Sequence, residues 1–248
     1  MTTKLYDGKY LQGLQNLFAK TKQRSYELLN PLANETIADI GCGIGQDATN
    51  LAKSGAKIYG IDNDENFIAI ANKQVLDNLQ IDFICCNADN IPLTDNSIDK
   101  IRFDRVLQHI PDHNKVLAEV SRLLKPDGQL QIIDTDYLSI SLFLEDEKLE
   151  RKIVDAIAYK RIPNGHKVRQ LPKTLEQNNF TLLSTEIHNY IIDEYEFATS
   201  LIRFDKVLDE EVECGNITQA DYEVWQLHIK RPFNLSVNLM LLTAIKKV

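Results

Sequence analysis

Several things are scarce or missing in this chain. It has 4 cysteines, Cys42, Cys85, Cys86 and Cys214, in 248 residues, and no two form a C-x-x-C pair or a metal-ligand spacing. That argues against a disulfide framework and a cysteine-held metal; no metal site is expected. The four read as reduced thiols, with Cys85-Cys86 either a redox pair or two small side chains packed near a strand end. No run of about eighteen apolar residues is present to span a bilayer. Residues 1–10 lack the apolar core of a signal peptide. These absences predict a cytoplasmic protein with no membrane span. Basic residues are in the minority, 28 against 36 acidic, and the formal charge of −8 argues against a general nucleic-acid surface. There is no internal repeat and no low-complexity segment. What remains is ordinary for a soluble globular chain, 44% apolar and 26% charged, and long enough for one large domain.

Glycine is concentrated where it counts. Gly41, Gly43 and Gly45 alternate between a β-compatible run, Thr36 to Ile40, and a helix-compatible run, Gln46 to Lys53. Such a turn leaves a strand, opens a helix, and is expected to aim free backbone N–H groups at one ligand. The dinucleotide fingerprint G-x-G-x-x-G is not matched: the third glycine comes one residue early, and Gln46 stands in its place. Asp39, two residues before the first glycine, would repel a pyrophosphate and pair well with an ammonium group.

Two more acids follow strands. Asp62 succeeds the strand from Lys57 to Ile61, where a carboxylate accepts both ribose hydroxyls; it reads either so or as a helix N-cap. Asp89 succeeds the strand Ile81 to Cys86, and reads as an adenine-amino acceptor beside Ala88 or as a turn residue. A helix from Asp64 to about Leu79 lies between them. A fourth strand, Ile98 to Phe103, precedes a helix from Asp112 to Leu124 with Asp112 as N-cap. Lys125-Pro-Asp-Gly128 is a turn and Gln129 to Asp134 a fifth strand. Strand and helix in regular alternation specify a parallel sheet covered on both faces. Ahead of it, a helix from Tyr10 to Leu29 ends before Pro31 and carries Lys22 and Arg24 on its polar side, either within reach of a ligand carboxylate or simply solvated.

Asp39-Ile-Gly-Cys-Gly-Ile-Gly45, Gly60-Ile-Asp62, Asn87-Ala-Asp89, Arg105-Val-Leu-Gln-His-Ile-Pro-Asp112 and Arg122-Leu-Leu-Lys-Pro-Asp-Gly128 together resemble class I S-adenosylmethionine-dependent methyltransferases, in the small-molecule branch that includes the ubiquinone- and menaquinone-type enzymes. The likeness is strong over residues 35–136 and loose beyond; Asp127 departs from the family's usual glycine. It implies a Rossmann-like, doubly wound α/β fold. The sheet would have seven strands, mostly parallel with an antiparallel last strand, helices on both faces and a helical cap after strand five. It further implies S-adenosylmethionine as cofactor. Asp39, Gly41, Gly43, Gly45 and Gln46 would hold its methionine end, Asp62 and Asn63 its ribose and adenine flank, and Ala88, Asp89 and Asn90 the adenine edge. Arg105 and Gln108 would lie under the ligand, and Arg24 would reach the methionine carboxylate. His109 is the candidate base if the acceptor must lose a proton, or else a core histidine. His166 and the segment 6–10 are candidates to close over the site.

One domain is expected: residues 1–34 as an N-terminal helical lid, 35–136 as the cofactor-binding half, 137–179 and 193–232 as cap and substrate-side elements, and 180–192 and 233–248 as closing strands. The cap is read as helices Glu145 to Lys160, Val168 to Asn178 with an αL asparagine at its end, Asp193 to Glu213, and Thr218 to Lys230. Residues 156–175 contain no acid and carry Lys160, Arg161, Lys167, Arg169 and Lys173. They form either a solvated face or an attractor for an anionic acceptor. The reading is a methyltransferase acting on a small-molecule acceptor. A non-catalytic cofactor-binding module and an NAD(P)-dependent oxidoreductase are the alternatives.

Overall fold

Runs such as Ile37-Ala-Asp-Ile40 and Ile98-Asp-Lys-Ile-Arg-Phe103 are rich in β-branched residues and apolar on both sides, so they make strands buried on both faces. The computed structural model describes residue 13, residues 16–76 and residues 78–247. Seven strands form one sheet: β1 (Thr36–Ile40), β2 (Lys57–Asp62), β3 (Ile81–Cys85), β4 (Ile98–Asp104), β5 (Leu124–Ser141), β6 (Phe180–Ile192) and β7 (Leu235–Lys246). Their order is β3-β2-β1-β4-β5-β7-β6, with β7 antiparallel to both neighbours. The chain therefore has the expected Rossmann-like architecture. The strand order reverses between β1 and β4, where parallel α/β sheets open a crevice.

The described helices are α1 (Ala19–Leu29), α2 (Gln46–Ala52), α3 (Glu65–Gln74), α4 (His113–Leu123), α5 (Glu147–Ala156), α6 (Leu171–Gln177), α7 (Tyr195–Ile202), α8 (Phe204–Glu213) and α9 (Gln219–His228). Asp64 caps α3 by accepting from the N–H groups of Asn66 and Phe67, and Asp112 caps α4 through Asn114 and Lys115. Each such cap contributes about 1 kcal/mol. One core packs α4 and α6 on the sheet through Val116, Leu117, Val120, Leu171 and Leu175. A second, around Trp225, Phe204 and Phe233, joins α5, α7, α8 and α9 to the far ends of β5 and β7. No helix among the described residues is long and apolar enough to cross a membrane.

The structure corrects several boundaries. The helix after β2 stops at Gln74, because Val75 is extended. The expected Lys125–Gly128 turn exists, but as an interruption inside a longer β5: pairing with β4 jumps from Leu124 to Gln129, and Asp127 takes φ 59°. The single helix expected from Asp193 to Glu213 is two. Arg203 adopts φ 59° and breaks it, letting Ile202 and Phe204 both enter the second core. After α5 the chain widens into one π turn, Ile157–Arg161. The αL asparagine after α6 is Asn179. Most of the expected helix before residue 19, and the segment 6–10, lie outside the described residues.

Candidate functional site

A cavity of about 810 Å³ opens at the C-terminal ends of β1, β2, β3 and β4. Its glycine loop is bent left-handed at Gly41, Gly43 and Gly45, with φ of 75°, 53° and 81°. A Cβ on Gly45 would stand 2.5 Å from the Phe83 ring, and one on Gly41 would strike Val106. The loop departs from expectation in one respect. Its N–H groups are largely spent on the protein itself: Gly41 and Cys42 donate to the Ile61 carbonyl, Gly45 to that of Cys42, and Gly43 to Asp62. The glycines thus serve close backbone approach and the bend more than a ring of free donors.

The three acids converge. Asp39, Asp62 and Asp89 all line the cavity. Asp62 is held by the loop, its Oδ2 accepting from Gly43 at 2.9 Å and its Oδ1 from Asp64 at 2.9 Å, which leaves further lone pairs for ligand hydroxyls. Asp39 is 2% exposed. Its Oδ1 accepts from Arg102 Nη1 at 3.1 Å, while its buried Oδ2 has no hydrogen-bond partner among the described residues. Burial outweighs the attraction of Arg102 and raises its pKa to about 7.

Beneath these groups lies a charge lattice. Arg102, fully buried, reaches Asp39, Asp47 at 3.4 Å and Asp104 at 2.8 Å. Lys22 of α1, 4% exposed, bridges Asp47 and Asp104, and Arg105 pairs with Asp104 at 2.8 Å. Three cations thus face three carboxylates. Tyr26 donates its hydroxyl to Asp47. Lys22, Arg102 and Arg105 hold Asp104 well below the usual carboxylate range despite its burial, and Asp47 is lowered too. Both oxygens of Asp47 and of Asp104 are engaged, so the acceptor left open on this floor is Asp39 Oδ2.

The wall after β4 is fixed by Gln108. Its backbone N–H donates to Asp134 and its Oε1 accepts from Thr135 N–H, while its Nε2 donates to Tyr137 at 3.2 Å and to His109 Nε2 at 3.0 Å. An amide nitrogen only donates, so His109 Nε2 accepts and the ring proton sits on Nδ1. His109 reaches solvent on one side; burial on the other and the Arg105 charge lower its pKa. Arg105, at φ 58°, places its guanidinium 5.1 Å from the Phe18 ring.

Residues 38–132 match the family model described as a methyltransferase domain. The demethylmenaquinone methyltransferase of Bacillus licheniformis is 31% identical over 119 residues, 47% of this chain, and the match spans about half, 51%, of that enzyme's own length. Residues 38–132 of the chain therefore form a methyltransferase domain. Solved structures agree on the fold. The YcgJ protein of Bacillus subtilis superposes with a TM-score of 0.68 at 17% identity, covering 93% of this chain and 99% of the other. Phosphoethanolamine N-methyltransferase 2 of Haemonchus contortus, in complex with S-adenosyl-L-methionine, gives 0.63 at 18% identity, covering 100% and 59%.

S-Adenosylmethionine is the cofactor of this methyltransferase family, and the residues present fit it. An orphaned buried carboxylate oxygen suits the ligand's ammonium group, and a second acid pre-oriented by backbone suits its ribose. Gln46, Asn63, Ala88, Arg105, Gln108 and His109 also line the cavity. Three expected contacts are corrected. Arg24 does not line the cavity; its guanidinium turns to the other side of α1 and forks onto Glu186, at 2.8 and 3.0 Å, because the two face each other when α1 docks on β6. Gly45 is not in the lining either and backs onto Phe83. Asn90 lies past the rim, its N–H turned back to the Asn87 carbonyl. Lys22 is no polar-face residue but part of the buried lattice.

Sequence reasoning missed Arg102, Asp47 and Asp104. A signal was present: an arginine between Ile101 and Phe103 in a strand buried on both faces requires buried partners. Among the described residues, those lining the cavity all fall between Asp39 and Val116, so the cap supplies none of them. Of the basic stretch, Lys160 is paired with Glu211 and Arg169 with Asp136.

Proposed function

We propose that the protein transfers the methyl group of S-adenosylmethionine to a small-molecule acceptor by in-line displacement, as a single cytoplasmic domain with the lid, cofactor half and cap boundaries given above. The observation that carries this reading is that Asp39, whose buried Oδ2 has no partner among the described residues, lines one cavity with Asp62 and Asp89. When bound, the cofactor supplies a methyl group on a sulfonium, open to attack opposite the departing sulfur. Asp39 anchors the ammonium end, Asp62 receives the ribose hydroxyls, and Ala88 and Asp89 meet the adenine edge. Asn63 and Gln46 flank the ligand, and Arg105 and Gln108 form the wall beside it. Positioning of this kind can supply roughly 7–11 kcal/mol of the barrier.

His109, which lines the cavity with its Nε2 accepting from Gln108, orients the acceptor from the wall of the site. To serve as the base, its ring would have to leave Gln108. An acceptor bearing negative charge is favoured by Lys115, which lines the cavity and makes no ion pair with a carboxylate among the described residues. Titration calorimetry with S-adenosylmethionine, S-adenosylhomocysteine and NAD tests the cofactor half of this reading; tight NAD binding with neither of the others would overturn it. Methyl transfer to a panel of anionic and neutral acceptors tests the rest. Cofactor binding with no transfer to any of them would make the chain a binding module.

A further inference from the structure

Helix α1 precedes every strand, yet through Lys22 it places a buried cation on two carboxylates of the cavity floor. Lys22 Nζ lies 2.5 Å from Asp47 Oδ2 and also meets Asp104 Oδ2. These are the same two oxygens that Arg102 reaches, at 3.4 Å and 2.8 Å. Arg102 Nη1 is therefore shared between Asp47 and, at 3.1 Å, Asp39, and Lys22 is the nearer partner of Asp47. The three carboxylates are not held equally. Asp47 has Lys22, Arg102 and the Tyr26 hydroxyl, and Asp104 has Lys22, Arg102 and Arg105. Asp39 accepts from Arg102 alone among the described residues.

On the reading that Asp39 takes the cofactor's ammonium group, we infer that Lys22 is a positioning residue for that group: by occupying Asp47 and Asp104 it leaves Arg102 on Asp39 and keeps Asp39 charged. Without Lys22, three buried carboxylates share Arg102 and Arg105, and one of them must take a proton. The proton goes to Asp39, the acid with the fewest donors, and the anchor for the ammonium is lost. The other groups facing Asp39 do not offset this. Asp47 of α2 and Asp104 of β4, released by Lys22, both draw on Arg102. Asp62, at the end of β2, adds like charge, and Arg105 pairs with Asp104. Cys42 and Tyr26 stay neutral because burial raises both. Helix α1 is also held elsewhere, so it stays in place when Lys22 is replaced. The Thr21 hydroxyl lies 2.7 Å from His188 Nδ1, Arg24 forks onto Glu186, and Gln129 and Gln131 donate to the Leu28 and Ser25 carbonyls at 3.1 and 2.9 Å. The cofactor site is thus incomplete without a helix outside residues 35–136.

Titration calorimetry with S-adenosylhomocysteine from pH 5.5 to 8.5 tests this; the ligand's own ionisation is common to all variants and cancels. In the wild type, affinity is expected to fall below a midpoint of about 7, where Asp39 takes its proton. Lys22→Met should move that midpoint up by about one pH unit, so that affinity trails the wild type about tenfold at pH 6 and far less at pH 8.5. Lys22→Arg should return it to the wild-type value. Asp47→Asn removes a neighbouring carboxylate and should move it down. Adding Lys22→Met to Asp47→Asn should move it back up, and this pair carries the test if Lys22→Met alone fails to fold. A lysine that only shores up the fold would lower affinity alike at every pH. An unmoved midpoint in Lys22→Met, or in the double variant relative to Asp47→Asn, overturns the inference, as does wild-type binding with no pH dependence. A wild type that binds no S-adenosylhomocysteine at any pH overturns the cofactor reading and the inference with it.

Discussion

Arg102 Nη1 lies 3.1 Å from Asp39 Oδ1 on the floor of the cavity, and the other oxygen of that carboxylate is left without a partner. The guanidinium aims the acid and partly compensates its charge, so one acceptor stays directed at a ligand. The remaining groups of the lattice, Lys22, Asp47, Asp104 and Arg105, satisfy one another. On the proposed reading, the cofactor's single ammonium group would take that oxygen.

Replacement of that acid is the most direct check. Asp39→Asn keeps the shape, removes the charge and leaves Arg102 with two carboxylates. Affinity for S-adenosylhomocysteine is expected to fall by about 1.5–3 kcal/mol, the worth of a hydrogen bond to a charged group. Calorimetry measures it; an affinity within a factor of two of wild type would remove Asp39 from the site.

The pH dependence follows from the same residue. Burial raises the Asp39 pKa to about 7, and the form that pairs with an ammonium is the ionised one. Below pH 7 the protonated fraction grows, so cofactor affinity is expected to drop about tenfold per pH unit there and to level off above. The slope should vanish in Asp39→Asn. A flat profile between pH 5.5 and 7 in the wild type would contradict the raised value.

Lys22 ties α1 to the cavity floor. Lys22→Met leaves Asp47 and Asp104 each short of a buried cation, and breaking a buried pair from one side costs about 3–5 kcal/mol. Urea denaturation is the measurement. A loss below 1 kcal/mol would mean that α1 docks without this contact.

Gly45→Ala separates bend from ligand contact. The residue is left-handed at φ 81° and its new Cβ would press on Phe83, yet it does not line the cavity. Stability is expected to drop by about 1–3 kcal/mol, with cofactor affinity reduced only as the loop shifts. Full cofactor loss at unchanged stability would place Gly45 in the site after all.

His109 distinguishes a donor from a base. His109→Asn keeps a hydrogen-bond donor without a titrating ring; it should retain a large part of the transfer rate, whereas His109→Phe should lose it, both with cofactor affinity unchanged. Equal loss in the two variants, together with a rate that follows a single ionisation near neutral pH in the wild type, would restore the base assignment.

Much of this molecule was legible residue by residue. The positions of Asp62 at the end of β2 and Asp89 past β3, the Asp112 cap, the αL asparagine at 179 and the whole of β6 follow from local rules: alternation, capping chemistry and the glycine bend. Arg24 shows where such rules end. From the helix alone its guanidinium read either as reaching the ligand carboxylate or as solvated; in the fold it meets Glu186, 162 residues away, and the cavity gains nothing from it. The split at Arg203 was invisible for a related reason, since an acidic amphipathic run reads as one helix until a shared core demands that both halves turn toward it.

The sequence by itself determined the sheet, the bend at its switch point and the acids at the strand ends, because these depend on backbone preference and on which face is buried. Only the tertiary structure decided which charges meet. Lys22 finds Asp47 at 25 residues' distance and Asp104 at 82, and Arg102 finds Asp39 at 63. Burial makes a partner obligatory for each of these groups, but the partner's identity is set by how α1 lies on the sheet, which no local pattern encodes.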